Sequence, residues 1–250
     1  MISLIIPAFN EAEALEMLLP RLPASVHGIP IRPLLVSDGS TDHTVAVATR
    51  HQIPVLALNQ NRGKGTAIQA ALEAVADRAF DAVVFMDADG QHCPEDMPRL
   101  VEPLLRGDAD LVLGSRYLED EGRRNTPLNR YLIRMGTISV LGRILGQRFS
   151  DPYCGFRAFT PFALDRVNIC GERYEAELEV IFDACRNGLR AVEVPVARIY
   201  GPGMSKMASD GGRLLGRIRV LRQYATTIAR KTRERRRQPT LSPIAIEELL

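Results

Sequence analysis

The segment AVVFMDADGQH, residues 82–92, joins an apolar run directly to a group of polar residues. Its first five residues are apolar, which is typical of a buried strand. Two carboxylates and an amide follow within five positions, in Asp87, Asp89 and Gln91. A buried strand that ends in polar side chains predicts a sheet whose ligand site lies at the carboxyl ends of its strands.

The same alternation of apolar runs and helix-like stretches extends over the first 120 residues. The other apolar runs are ISLIIPAF (2–9), RPLLVSDGS (32–40), VLAL (55–58) and LVLGSR (111–116). This repetition predicts an α/β fold, a mostly parallel twisted sheet with helices on both faces, around a Rossmann-like nucleotide-binding core. Polar residues then converge at one edge of the sheet, from Asn10–Glu11, Asp38–Ser40, Asp87–Asp89 and Ser115–Arg116.

Composition excludes several classes of protein. The 250 residues are 46% hydrophobic and 25% charged, which is not the composition of a disordered or fibrous chain. No apolar stretch approaches the roughly 18–20 residues of a membrane-spanning helix, and the start MISLIIPAFNE has no basic leader. The four cysteines are too sparse for a disulfide scaffold, so we expect buried thiols in a reducing cytosol.

Charge is distributed unevenly along the chain. Residues 201–250 hold eleven Lys and Arg against four Asp and Glu, a net charge of +7, which leaves −5 for residues 1–200. Residues 211–237 read as a basic amphipathic helix, which favours an anionic membrane surface. A helix packed on its own domain is the alternative. Nucleic acid is disfavoured because Tyr224 is the only aromatic residue in the basic region.

The second half of the chain follows a different pattern. Apolar residues at three- and four-residue intervals predict a helix over Arg130–Leu145, with Met135 and Leu141 on its apolar face. DPYCGFRAFTPFAL (151–164) reads as a turn and a short strand leading into a helix near Pro161. A helix over Glu175–Arg186 and a strand in AVEVPVARIY (191–200) follow.

The cluster in residues 87–91 suits a divalent cation. Carboxylate and amide oxygens are the hard ligands that Mg²⁺ or Mn²⁺ prefers, so Asp87, Asp89 and Gln91 are the candidate ligands. Such an ion stabilises a departing nucleoside diphosphate. The alternative is a structural one, in which Asp89-Gly90 forms a turn and Asp87 caps a helix.

Seven motifs occur in an order that resembles a known family. They are SLIIPAFNEAEAL (3–15), VSDGSTDHT (36–44), NRGKGTAI (61–68), MDADGQH (86–92), GSRY (114–117), DPYCGFRAF (151–159) and VPVARIYGPGMSK (194–206). The chain resembles the inverting glycosyltransferases of family 2, which have a GT-A fold. Within them it is most similar to the polyprenyl-phosphate sugar transferases, such as dolichyl-phosphate mannose synthase, over roughly residues 1–207.

The resemblance implies a role for individual residues. Asp89, Arg116 and Arg130 are expected to be catalytic, with the two arginines on the acceptor phosphate. A loop after the last strand is expected to close on the donor diphosphate. Residues implied to bind the nucleotide-sugar donor are Pro7, Ala8, Asn10, Glu11, Asp38, Gly65, Asp87, Arg198, Ser205 and Lys206.

Some basic residues also admit a structural interpretation. Lys64 could be a solvated loop cation, and we expect Arg134 to lie on a solvated helix face. Asp151 and Arg157 match an acceptor-side motif, but a structural salt bridge between these two residues explains them equally well.

One absence bears on the acceptor. Many soluble family members that transfer to a hydroxyl use an Asp in a Glu-Asp motif as a base. In the acceptor region of this sequence the only Glu-Asp dipeptide is Glu119-Asp120, which lies in a charged loop. A phosphate acceptor is already ionised near neutral pH and needs charge compensation more than a base. The sequence therefore favours a phosphate nucleophile.

These observations lead to one hypothesis and two alternatives. The hypothesis is a metal-dependent inverting transfer of a sugar from a nucleotide-sugar to a polyprenyl phosphate at the cytoplasmic membrane face. The alternatives are a soluble transferase with a hydroxyl acceptor, and a non-catalytic nucleotide-binding protein with a basic partner-binding tail. The expected domains are a catalytic domain over 1–210, the basic helix over 211–238, and a loose tail over 239–250.

Overall fold

A computed structural model of the chain describes residues 1–75, 79–119, 128–169, 175–197, 199 and 226–233, with the side chains of 128–133 and 175 left out. The strands described are β1 Ile2–Ala8, β2 Ser25–Val26, β3 Ile29–Asp38, β4 Val55–Leu58, β5 Ala82–Phe85, β6 Leu111–Ser115, β7 Arg157–Phe159 and β8 Ala191–Pro195. The helices described are α1 Ala12–Leu18, α2 Thr44–Arg50, α3 Lys64–Val75, α4 Met97–Leu105, α5 Leu128–Leu145, α6 Pro161–Leu164, α7 Glu175–Arg186 and α8, residues 226–233.

One sheet joins the strands in the order β2-β3-β1-β5-β7-β6-β8, with β4 also paired to β3. β1 is parallel to both β3 and β5, β3 is parallel to β4, and β6 is parallel to β8. The short β2 and β7 are antiparallel to their neighbours. The predicted α/β fold with a mostly parallel sheet is therefore confirmed.

Strand β1 lies at the centre of the hydrophobic core. All seven of its residues are buried. Ile2, Leu4 and Ile6 face one apolar cluster, and Ile5 faces a second cluster on the other side of the sheet. Burial on both faces explains why β1 and β5 read as continuous apolar runs rather than alternating ones.

Most predicted elements of the second half are confirmed. Helix α7 has the predicted bounds, and α6 begins at Pro161. In α5, which spans Leu128–Leu145, Leu141 is buried and Met135 is 38% exposed. Burial of the cysteines is confirmed for Cys154, whereas Cys93 and Cys185 are partly exposed.

The C-terminal helix is described only over residues 226–233, and the rest of the predicted stretch 211–237 and the tail 239–250 lie outside the described residues. α8 packs on α7 through ion pairs. Lys231 Nζ lies 2.8 Å from Asp183 Oδ1, and Arg230 pairs with Glu179. Both carboxylates are buried, so this part of the helix is bound to the domain through its cations.

Candidate active site

The loop after β1 is fastened to the loop after β3. Asn10 adopts a left-handed backbone with φ 54°, and its Oδ1 accepts hydrogen bonds from the backbone N–H of Thr41 at 2.8 Å and of Asp42 at 3.3 Å. Asparagine tolerates this backbone because its short polar side chain bonds locally. Two of the predicted loops thus meet at the carboxyl edge of the sheet.

Asp38 ends β3 and holds the next loop. Its Oδ1 accepts from the backbone N–H of Arg62 at 2.9 Å, and its Oδ2 accepts from Gly63 at 2.7 Å. The side chain is buried. The next residue, Gly39, has φ +66° and lies so close to Gln60 that a Cβ atom would be 2.4 Å from the Gln60 carbonyl carbon. Asp38 therefore shapes the loop that precedes α3.

The other donor residues predicted at this edge lie on or beside the same elements. Pro7 and Ala8 are the last buried residues of β1, and Glu11 precedes α1 with its backbone N–H bonded to the Thr44 hydroxyl at 2.9 Å. Gly65 is buried in the first turn of α3. These four residues are brought to the carboxyl edge of the sheet.

Asp87, just after β5, is held by a lysine. Lys64 Nζ lies 2.5 Å from Asp87 Oδ1 and 2.7 Å from Glu177 Oε1. Burial alone would raise the pKa of Asp87, but the Lys64 charge and the nearby His92 ring hold it well below its usual value. Burial would likewise lower the pKa of Lys64, and its two carboxylates raise it instead. The interpretation of Lys64 as a solvated cation was wrong.

Asp89 lies in a different electrostatic environment. Its carboxylate accepts from the Gln91 backbone N–H at 3.0 Å and from the Gln91 side-chain amide at 2.8 Å. Burial and the negative charge of Asp87 raise its pKa. Gly90, with φ 73°, forms the turn that brings Asp89 and Gln91 together. The turn at Asp89-Gly90, which the alternative structural interpretation predicted, is therefore present. The carboxylates of Asp87 and Asp89 nevertheless repel one another.

The donor set fits a divalent cation of the Mg²⁺ type. A positive ion relieves the repulsion that raises the pKa of Asp89. Within the described ranges no group of three His, Cys, Asp or Glu side chains is placed to hold a metal. Mg²⁺ commonly keeps several waters and uses only one or two carboxylates beside substrate phosphates, so a small set is sufficient.

Residues 151–155, which we call the bridging segment, link this carboxylate cluster to the arginine after β6. At one end, a Cβ atom on Gly155 would lie 2.4 Å from Asp87 Oδ2 and 2.6 Å from Lys64 Nζ. At the other end, Asp151 contacts Arg116. Glycine is therefore required where the segment passes the cluster.

Arg116 and Asp151 form a buried, two-pronged ion pair. Arg116 Nε donates to Asp151 Oδ2 at 2.6 Å and Nη2 donates to Oδ1 at 3.0 Å. The Asp151 side chain is 1% exposed and that of Arg116 is 15% exposed. Burial would raise the pKa of Asp151, and the Arg116 charge lowers it on balance. The alternative interpretation, a salt bridge between Asp151 and Arg157, is wrong, since the partner of Asp151 is Arg116.

Arg157 instead donates hydrogen bonds to backbone carbonyl groups. Its guanidinium is buried and donates to the carbonyls of Cys154, Glu177 and Pro152, at 2.8, 2.7 and 2.9 Å. Burial lowers its pKa. Arg157 thereby fixes the bridging segment against the start of α7.

Arg134 is also buried, so the prediction of a solvated face was wrong. Its Nη1 donates to the Ser150 carbonyl at 2.8 Å, and its guanidinium lies 4.0 Å from the centre of the Tyr117 ring. It thus contacts the residue next to Asp151. Arg130 lies one turn earlier in α5, and its side chain is outside the described residues.

Arg198, Ser205 and Lys206, predicted to contact the donor diphosphate, lie outside the described residues. The neighbouring backbone is tied to the metal-ligand candidates. Ile199 N donates to the Gln91 carbonyl at 3.2 Å, and Ala197 N donates to Asp96 Oδ2 at 2.7 Å. The segment therefore leaves β8 beside the Asp87–Gln91 turn.

The family follows from comparison with known proteins. A family model described as glycosyl transferase family 2 matches residues 3–168. The chain belongs to glycosyltransferase family 2. It is therefore a glycosyltransferase, and the alternative of a non-catalytic nucleotide-binding protein is not supported.

The chain is similar to two curated relatives and to a solved structure. The transferase is 31% identical over 217 residues to polyprenol monophosphomannose synthase of Mycolicibacterium smegmatis, covering 82% of this chain and 80% of the relative. It is 34% identical over 213 residues to undecaprenyl-phosphate mannosyltransferase of Micrococcus luteus, covering 82% and 86%. Crystalline glucosyl-3-phosphoglycerate synthase of Mycobacterium tuberculosis superposes with a TM-score of 0.69 at 24% identity, covering 93% of this chain and 80% of that one. The fold is GT-A, as expected.

None of the helices that the structure describes in this transferase is both long and apolar enough to cross a membrane.

Two site residues were not predicted. Glu177 contacts Lys64, and Glu193 on β8 accepts from the backbone N–H of Ser150 at 2.8 Å and of Asp151 at 3.1 Å. The reason for Glu177 is visible in the structure and not in the sequence. Helix α7 is buried on every side from residue 176 to 184, so its acidic residues need compensating cations. For Glu193 we find no sequence signal.

Proposed function

We propose that this transferase moves a sugar from a nucleotide-sugar to a polyprenyl phosphate, with inversion and with a divalent cation, at the cytoplasmic face of a membrane. The observation that carries the proposal is the bridging segment. It contacts Arg116 at one end and Asp87 at the other, so an acceptor anion and the donor diphosphate can be held side by side. The names of the two relatives above favour a polyprenyl-phosphate acceptor.

Donor binding rests on the carboxyl edge of the sheet. Pro7, Ala8, Asn10 and Glu11, with Asp38, take the nucleoside, and the Gly63–Gly65 loop lies beside its phosphates. Asp87, Asp89 and Gln91 would hold Mg²⁺ or Mn²⁺, which neutralises the charge that develops on the leaving diphosphate. The structural relative crystallised with Mn²⁺ and UDP supports this assignment. Arg198, Ser205 and Lys206 are the proposed closing residues of the loop after β8.

The acceptor needs positioning rather than deprotonation. Asp87 and Glu177 are paired with Lys64, and Asp151 is paired with Arg116. These paired carboxylates are not placed to act as a general base. A phosphate oxygen is already charged near neutral pH, so its attack on the sugar requires no general base. The Arg116 guanidinium is fixed by Asp151 and is suited to a phosphate, together with Arg130. A single displacement inverts the anomeric centre.

Membrane attachment is proposed for the basic segment over residues 211–238. The net charge of +7 in residues 201–250 favours an anionic surface. The domains remain as predicted, a catalytic domain over 1–210 and a tail over 239–250. α8 modifies this proposal, because Arg230 and Lys231 are engaged by α7 and the remaining cations must provide the attachment.

A transfer assay tests the proposal. The purified chain is incubated with a panel of radiolabelled nucleotide-sugars and Mn²⁺, with a polyprenyl phosphate or a soluble hydroxyl acceptor. We expect label in the lipid product only, inverted at the anomeric carbon and abolished by EDTA. Asp89→Ala should be folded and inactive, whereas Asp165→Ala, a change at an exposed residue, should match the wild type. Transfer to the hydroxyl acceptor alone, or full activity in EDTA, would contradict the proposal.

A further inference from the structure

Glu177 is a buried carboxylate beside the proposed metal site. Its side chain is 8% exposed, and Oε1 accepts from Lys64 Nζ at 2.7 Å. Oε2 is buried and has no hydrogen-bond partner among the residues that the structure describes. A buried carboxylate is unfavourable unless its charge is compensated. Lys64, 113 residues away in the sequence, supplies that compensation.

The same ammonium group serves Asp87. Lys64 Nζ lies 2.5 Å from Asp87 Oδ1, so two carboxylates share one cation. A divalent cation at Asp87 must compete with Lys64 for that carboxylate. Glu177, the second carboxylate paired with Lys64, offsets part of the ammonium charge and reduces this competition.

We infer that Glu177 is a positioning residue that shares the Lys64 ammonium group with Asp87 and so weakens the competition of Lys64 with a divalent cation for Asp87. The inference rests on the proposed metal-dependent function. Glu177 is inferred to act through Lys64, which is its side-chain partner among the described residues. Its position is fixed by Arg157, which donates to the Glu177 carbonyl at 2.7 Å.

The first test measures Mn²⁺ binding by electron paramagnetic resonance, without acceptor, alone and with a nucleoside diphosphate. Glu177→Gln keeps the shape of the side chain and removes its charge. We expect Mn²⁺ affinity to fall about tenfold, within the range for residues that support metal ligands. In turnover, the apparent KM for Mn²⁺ should rise while kcat at saturating Mn²⁺ stays near the wild-type value.

A matched control separates this effect from damage to α7. Asp183→Asn is the same kind of change in the same helix, at a buried carboxylate paired with Lys231. It should lower thermal stability and leave Mn²⁺ affinity unchanged. An equal loss of Mn²⁺ affinity in the two variants would assign Glu177 a merely structural role and overturn the inference.

A double-mutant cycle tests whether Glu177 acts through Lys64. Lys64→Met removes the competing cation and should tighten Mn²⁺ binding, and in that background Glu177→Gln should lose most of its effect. Weaker Mn²⁺ binding in Lys64→Met, or an unchanged effect of Glu177→Gln in that background, would overturn the inference. If the wild type binds no Mn²⁺, the proposed metal centre fails together with it. If the wild type binds Mn²⁺ and Glu177→Gln is normal, only the inference fails.

Discussion

Replacing Asp151 with Asn tests the buried ion pair that fixes Arg116. The change keeps the size of the side chain but leaves Arg116 without a counter-charge. Removing one partner of a buried pair costs about 3–5 kcal/mol. Because 15% of the Arg116 side chain is exposed, water compensates part of the loss, and we expect the lower end, about 3 kcal/mol. At this chain length that corresponds to a fall in Tm of about 6–12 °C.

The structure offers a matched control in the pair formed by Asp110 and Arg190. Arg190 Nη2 and Nε donate to the two Asp110 oxygens at 2.8 and 3.1 Å, the same two-pronged arrangement. The Arg190 side chain is 57% exposed, however. Exposed pairs contribute about 0–1 kcal/mol, and Asp110 is 13% exposed and also accepts from the Arg190 backbone N–H at 2.8 Å, so Asp110→Asn should cost about 1 kcal/mol, well below Asp151→Asn.

Urea unfolding followed by circular dichroism measures both variants, with wild type alongside. Adding Arg116→Met to Asp151→Asn should restore part of the lost stability, because no unpaired charge then remains buried. If Asp151→Asn costs no more than Asp110→Asn, burial is not what gives the pair its importance, and the reasoning fails.

Two further predictions concern pH and the C-terminal segment. The pKa of Asp151 is lower in the folded chain than in the unfolded one, so its contribution is complete above about pH 4 and is lost as the pH falls further. Urea unfolding between pH 7 and pH 3 should therefore show a smaller acid-induced loss of stability in Asp151→Asn than in wild type, and equal losses would refute this. A chain that ends at residue 233 keeps α8 on α7, whereas one that ends at 210 lacks Arg230 and Lys231, the cations that pair with Glu179 and Asp183. We expect the chain that ends at 233 to be as stable as the full chain, and the chain that ends at 210 to unfold at a lower urea concentration. In co-sedimentation with anionic vesicles at low salt, only the chain that ends at 210 should be fully released. A full-length chain that does not bind such vesicles would refute the membrane assignment.

The donor side of the site was readable because it is encoded locally. Each loop directly follows a strand that is buried on both faces, such as β1 or β5, and a parallel sheet brings the ends of such strands to one edge. The hydrogen bonds between Asp38 and the backbone at Gly63 could not be predicted from the sequence, but the position of Asp38 at the edge of the sheet could. Sequence periodicity therefore predicted that Asn10, Asp38 and Asp87 lie at or just after the ends of strands of one sheet.

The acceptor side was misread wherever a cation had a distant partner. Arg134 was assigned to a solvated face because its stacking on Tyr117 and its bond to Ser150 depend on where α5 packs. For Asp151 the sequence suggested Arg157, six positions away, as an alternative partner. The structure pairs Asp151 with Arg116, which is 35 positions away and directly follows β6. Pairings at such separations depend on strand order, and the antiparallel insertion of β7 was not predictable from its three residues.

That insertion has a mechanical consequence. Along the described sheet, β5 and β6 each pair with β7 and not with one another. The Asp87–Gln91 turn after β5 and Arg116 after β6 are thus linked across the sheet by the three residues of β7, Arg157–Phe159. Movement of β5 relative to β6 would strain the hydrogen bonds of β7, so under the proposed function this three-residue strand sets the spacing between the donor and acceptor sites.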